Sequence, residues 1–351
     1  MLIDCFLGFD EVKLAEFRVV YLKDVVNQTL ILESKKTFSG DAKPLHFSDW
    51  KQTLPDDLKQ KIEIVELNDS DLTSDSAWDR DIFSRESLNK IAIEKYPGSR
   101  FIFSDLDEIP AVEQVEKFLL SQGNYHFKCR TIYRKANLFV MGRHDNWNYG
   151  VFSSSPELLV KNGGRFQRLP LITSNDFGIH FSYLGMSPRR IKSKLNSFAH
   201  TEYRGLSISF DHYLAFCDKY IIDHLGRIRS ETYGLLKYQS TSECTSSILN
   251  SLFDFEPSWF YPEFFKQNLL KRLIASGMAS FGMRVSKQGE ITPIRKFIFS
   301  RFFSEKPSPG FSPIHALVRL ILISGAIIEI FLAVLWNLRR YAKKFATHGY
   351  T

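Results

Sequence analysis

The chain has 351 residues, 44% hydrophobic and 24% charged, enough to bury a full core in one large domain with an appendage. Its net charge of +7 belongs to the tail: from residue 291 onward nine Lys or Arg face two Glu, and residues 1–290 carry 37 of each sign. A neutral body without a spread of basic residues argues against a nucleic-acid binder.

Taken in order, short apolar runs at residues 2–6, 29–32, 62–66, 101–104 and 125–129 predict buried strands. Helical patterns over residues 11–25, 79–96 and 112–121 lie between them, an alternation that predicts an α/β fold with a mostly parallel sheet. The opening Met1-Leu-Ile-Asp-Cys-Phe has neither a charged lead nor a long apolar run, so no signal peptide is expected and the domain is expected to start in the cytosol. Cys5, Cys129, Cys217 and Cys244 have no spacing that suits zinc or a disulfide framework and read as reduced thiols.

The most informative stretch is Phe101-Ile-Phe-Ser-Asp-Leu-Asp-Glu-Ile-Pro110, an apolar strand running into Asp105 and Asp107. Alternation along an extended chain puts both carboxylates on one side. Pro110 disfavours helix at Ile109 and predicts an open loop there. Hard oxygen ligands at the C-terminal edge of a buried strand suit Mg²⁺ or Mn²⁺ bridging a diphosphate. Ligands of such sheets bind beyond the carboxyl ends of the strands. The loop Glu33-Ser-Lys-Lys-Thr-Phe-Ser-Gly40 follows the second strand at that same edge. Beyond residue 130, aromatic segments such as Trp147-Asn-Tyr-Gly150 offer faces for sugar rings.

The tail differs in kind. Residues 314–336 are strongly apolar, with basic residues before them and Arg339, Arg340, Lys343 and Lys344 after them. That pattern predicts a helix lying in the cytoplasmic leaflet, with a single span or a buried core or partner helix as the alternatives. The expected organisation is a catalytic domain over residues 1–250, an aromatic and basic helical connector over 251–311, and a membrane-associating helix with a basic tail over 312–351.

Met1-Leu-Ile-Asp-Cys-Phe, the loop from Ile31 to Gly40, Arg85 after Trp78, Phe103-Ser-Asp-Leu-Asp-Glu-Ile-Pro110, and Gly178-Ile-His-Phe-Ser-Tyr183 with Lys194-Leu-Asn-Ser-Phe-Ala-His200 occur in a telling order and spacing. Together they resemble glycosyltransferase family 17 over roughly residues 1–215. The resemblance implies a GT-A-like, Rossmann-like fold, a UDP-sugar donor, UDP-N-acetylglucosamine foremost, and transfer with inversion. The C-terminal placement of the hydrophobic segment favours a lipid-linked saccharide or surface-polysaccharide precursor as acceptor over a glycoprotein.

On this resemblance Asp107 coordinates Mn²⁺ or Mg²⁺, Asp105 meets the donor ribose or a metal-bound water, and His180, read in a Gly-flanked turn, is a third ligand. Glu33 and Ser34 belong to the donor loop, where Glu33 approaches the uridine or anchors the loop, with a structural ion pair as the equal alternative. Arg85 reaches a phosphate or pairs with Asp81 along the helix. Glu108, Asp176 and Glu202 are the candidates for the base that takes the acceptor proton, with His200 as an orienting partner. Two other classes compete: a phosphatase of the haloacid-dehalogenase type with Asp105 as nucleophile, and a membrane-docked scaffold without catalysis.

Overall fold

A computed structural model describes residues 1–68, 73–141, 145–161, 168–197, 210–223, 225, 236–240, 246–261, 272 and 276. The chain divides into two compact units, Met1–Thr201 with Tyr238–Glu263, and Glu202–Lys237 with Phe264–Thr351.

The first unit opens with the expected parallel strands. β1 (Leu2–Gly8), β2 (Gln28–Ser34), β3 (Ile62–Leu67) and β4 (Arg100–Phe103) form the order β3-β2-β1-β4. β10 (Val151–Ser153) extends this sheet antiparallel to β4, and β6 (Asn124–His126) pairs antiparallel with β10. Helix α1 (Val12–Leu22) links β1 to β2; α2 (Phe47–Gln52) and α3 (Asp56–Gln60) precede β3. Helix α4 (Ala77–Lys95) leads into β4, and its first turn is capped where Ser76 Oγ accepts from Asp79 N at 3.3 Å. Helices on both faces bury both sides of the strands, which is why β1 and β2 read as continuous apolar runs. Along β1, Ile3 and Cys5 pack with Leu88 and Ala92 of α4, and Phe6 packs with Ala15 and Val19 of α1. Asp4 shares the α1 side with Phe6 by the strand's two-residue period.

A second sheet in the same unit orders β8 (Leu138–Val140), β7 (Cys129–Tyr133), β11 (Gly178–Ser182) and β5 (Glu108–Ile109), with β9 (Asn146–Trp147) also pairing β7. β11 runs parallel to β7 and antiparallel to β5. The core between the sheets holds Leu2, Ile102 and Phe152 from the first and Ile132, Ile179 and Phe181 from the second. Phe17 of α1, Phe118 of α5 (Val112–Leu119) and Ile248, Leu249 and Leu252 of α9 (Ser247–Phe255) close that core. Helices α6 (Pro156–Lys161) and α7 (Pro188–Ser197) complete the unit. In the second unit lie α8 (Phe210–Tyr220) and most of β12 (Leu236–Tyr238). Arg272 there donates to the carbonyls of Tyr220, Ile221 and Leu236.

Four expectations change. The run 125–129 is not one strand: the chain leaves the first sheet after His126 and enters the second at Cys129, with Phe127 fully buried between them. Gly150 permits that step, since a Cβ there would lie 2.0 Å from the Phe127 ring. Asp105 to Glu108 is not extended but a turn, closed by Glu108 N donating to Asp105 O at 2.9 Å. Glu108 and Ile109 are then strand β5 rather than open loop, and Pro110 follows the last paired residue. His180 lies mid-strand in β11, not in a turn. Gly178 serves close approach, because a Cβ there would meet Ile109 O at 2.5 Å. Cys5, Cys129 and Cys217 are buried thiols outside any disulfide. The expected boundary at residue 250 falls inside α9. The apolar segment 314–336 lies outside the described residues, and among those described no helix is long and apolar enough to cross a membrane.

Candidate active site

The carboxylate turn is held from below. Arg18, on α1 and fully buried, forks onto Asp4 of β1 with Nε to Oδ2 at 2.8 Å and Nη2 to Oδ1 at 2.5 Å. Its Nη1 donates to the carbonyls of Asp105 (2.7 Å), Leu106 (3.2 Å) and Glu108 (3.1 Å), and Nη2 reaches Ser104 Oγ at 2.8 Å. One guanidinium thus satisfies a buried carboxylate and three backbone acceptors of the turn, the planar fork suiting Arg and not Lys.

Above this support the two aspartates diverge. Asp105 pairs with Arg85, which also binds Asp81 one helical turn earlier on α4, at 3.0 Å. Burial opposes the Arg85 charge, but Asp105 and Asp81 together raise its pKa further. The helix pair read for Arg85 with Asp81 is present, and the guanidinium extends to Asp105 as well. Asp107 instead faces Lys194 of α7, with Oδ2 3.4 Å from Nζ, and His180, with Oδ1 3.9 Å from Nε2. Lys194 Nζ also donates to Glu11 Oε1 at 2.7 Å, at the start of α1. Burial works against the Lys194 ammonium, yet Glu11 and Asp107 hold its pKa above the ordinary lysine range. Burial likewise pushes the Glu11 carboxyl up, and Lys194 with the Asp10 backbone outweighs it and leaves it below the usual value. Next to them Arg190 pairs with Asp10 at 3.1 Å, and Ser39 N of the loop after β2 donates to Ser197 O at 3.3 Å. The loops after β1 and β4, the loop after β2 and helix α7 thus meet at the C-terminal edge of the parallel strands, where ligands of open α/β sheets bind.

The second sheet supplies a polar row beside the turn. Glu108, His180 and Thr131 are direct neighbours across β5, β11 and β7 and share one face. Trp147 stacks on His180 with centroids 4.2 Å apart. Its Nε1 donates to Glu108 Oε1 at 2.5 Å, and Glu108 Oε2 accepts from Asp105 N at 3.1 Å.

The remaining predicted residues fall elsewhere. Glu33 is buried and anchors the loop, accepting from Lys43 Nζ, His46 N and Phe47 N. Ser34 ends β2, and its Oγ accepts from Lys36 N at 2.9 Å. Asp176 ties β11 to α9 through Ser247 and lies five residues before Phe181, whose N–H binds Asp107 O. At about 3.3 Å per residue that is roughly 16 Å from the turn. Glu202 and His200 lie outside the described residues. Arg18, Asp4, Glu11 and Arg190 received no role from sequence. Lys194 was marked only as part of a matching segment. Glu11 carried a usable signal, since it follows β1 as Asp105 follows β4.

Among the described residues no three His, Cys, Asp or Glu side chains gather closely enough to hold a metal ion. A ligating His nearly always donates its second ring N–H to a partner. His180 Nδ1 is buried with no partner among the described residues, which weakens His180 as a ligand. Asp107 remains a fitting hard donor for an ion whose other positions go to phosphate and water, the usual habit of Mg²⁺.

A parallel sheet, a carboxylate turn at its C-terminal edge and cations interleaved with the acids make an α/β fold whose strand ends suit a charged ligand. The family model for glycosyltransferase family 17 matches residues 1–209, more than half of the chain, and the chain belongs to that family. It is a glycosyltransferase, with a sugar donor and an acceptor. No curated protein matches the chain.

Proposed function

We propose that the chain is a metal-dependent, inverting glycosyltransferase that moves N-acetylglucosamine from UDP-N-acetylglucosamine onto a glycan or lipid-linked saccharide. The observation that carries this reading is the Asp105–Asp107 turn at the edge of the parallel sheet, next to Lys194, within the segment that matches the family. Asp107 and, through water, Asp105 would hold Mn²⁺ or Mg²⁺. The ion when bound would act as a Lewis acid toward the departing diphosphate.

The chain's own residues do the rest. Arg18 fixes the backbone of the turn, so that the Asp107 carboxylate is pre-aimed. Arg85 neutralises Asp105, and Lys35, Lys36 and Lys43 line a hollow in the loop after β2 that suits an anionic nucleotide. Glu108 uses both carboxylate oxygens on Trp147 and the Asp105 backbone, which makes it a positioning residue for the turn. Asp176 is committed to Ser247. Glu202, outside the described residues, stands as the remaining candidate for the base that takes the acceptor proton. Residues 314–336, flanked by basic residues, would dock the enzyme on the cytoplasmic leaflet.

The test is UDP release from a panel of UDP-sugars by purified protein, with Mn²⁺ or with EDTA. The expected result is Mn²⁺-dependent release from UDP-N-acetylglucosamine, reduced at least about a hundredfold in Asp107→Asn, the loss of a donor acting mainly in the transition state. Phosphate liberated from simple phosphoesters, with no UDP release from any donor, would overturn the reading in favour of a phosphatase. Co-sedimentation with anionic vesicles that persists after removal of residues 312–351 would refute the membrane assignment.

A further inference from the structure

Lys194 is an unusual companion for a metal-binding aspartate. Its ammonium is buried between Glu11 and Asp107, 2.7 Å and 3.4 Å from their oxygens, and sits 5.4 Å from the Tyr183 ring. A divalent ion on Asp107 would arrive a few ångströms from a fixed positive charge, at a site with little water to screen the two.

We propose that Lys194 is a stand-in cation: it neutralises Asp107 while the site is empty, and so makes divalent-ion binding depend on a nucleoside diphosphate arriving with the metal. A nucleoside diphosphate would bring negative oxygens that could accept hydrogen bonds from the ammonium in place of Asp107. Lys194 thereby passes from Asp107 to the ligand and keeps Glu11 as its second partner. Free metal alone offers no such exchange, because it would strip the ammonium of one acceptor and return none. The placement supports this order: Lys194 is on α7, Glu11 follows β1 and Asp107 follows β4, so three separate elements converge on one ammonium. This inference rests on the transferase reading and specifies its order of assembly.

The test is Mn²⁺ binding to full-length protein, read from the electron paramagnetic resonance signal of the free ion, with and without UDP. In wild type, UDP tightens Mn²⁺ binding at least about tenfold, equivalent to about 1.4 kcal/mol of coupling. Lys194→Gln binds Mn²⁺ without UDP about tenfold more tightly than wild type, and its UDP coupling shrinks by the same factor. Glu11→Gln shifts the other way: the ammonium, released from one acceptor, leans on Asp107 and weakens Mn²⁺ binding without UDP. Circular dichroism confirms that both variants are folded. Equal or weaker Mn²⁺ binding by folded Lys194→Gln without UDP overturns the inference while leaving the transferase intact. Absence of UDP binding in wild type, with or without Mn²⁺, overturns the UDP-sugar reading and this inference with it. Should Lys194→Gln fail to fold, Glu11→Gln decides: tighter or unchanged Mn²⁺ binding refutes the stand-in role.

Discussion

At the scale of single residues, the site is organised by buried charge. Arg18 and Asp4 are both removed from water, and such a pair resists the loss of one partner far more than the loss of both. Arg18→Met should cost about 3–5 kcal/mol in urea unfolding, because Asp4 is left charged and unpaired. Arg18→Met with Asp4→Leu should recover much of that stability without recovering activity, since three turn carbonyls still lack their donor. Glu11 carries a pH signature. Its folded pKa is lowered, so its contribution is complete above the unfolded value, about 4.3 for glutamate, and is lost as pH falls through the lower folded value. The stability gap between wild type and Glu11→Gln should be full at neutral pH and close below about pH 4, in chemical denaturation across that range.

At the scale of elements, β1, β2 and β4 were legible because both faces of the parallel sheet are covered there, which makes them nearly continuous apolar runs, and the edge strand β3 was legible from Ile62, Ile64 and Val65 despite Glu63 and Glu66. The second sheet was not. Gly178-Ile-His-Phe-Ser182 alternates apolar and polar side chains, and its glycine reads as a turn when it in fact lets β11 approach Ile109. The turn comes later, at Gly185, with φ +63°. Gly178→Ala should therefore destabilise by about 1–3 kcal/mol through overpacking, with a lowered melting temperature as the readout. The Asp-Leu-Asp motif was legible, but its partners were not, because Lys194 lies 87 residues from Asp107 and 183 from Glu11. Pairings that long are set by how α7 lies across the strand ends, and no local pattern reports them.

At the scale of the molecule, the family match ends at residue 209, but the first compact unit resumes at Tyr238. Helix α9 returns to α1: Phe255 meets Phe17 at 5.5 Å, and Ser247 meets Tyr21 at 3.1 Å. Ile248, Leu249 and Leu252 are buried there, each a contribution of about 1.5–3 kcal/mol. A chain cut after residue 209 should be markedly less stable than one cut after residue 263, as shown by thermal unfolding or by loss of soluble expression.

Between Phe103, the last residue of β4, and Glu108, the first of β5, only four residues pass from one sheet to the other, and they include both aspartates. The metal-binding candidate is thus the seam along which two sheets are stitched. A slip of either sheet must pull the stitch, so repacking away from the chemistry, at the Phe118–Phe152 contact for instance, would register as misaligned carboxylates before it registered as unfolding.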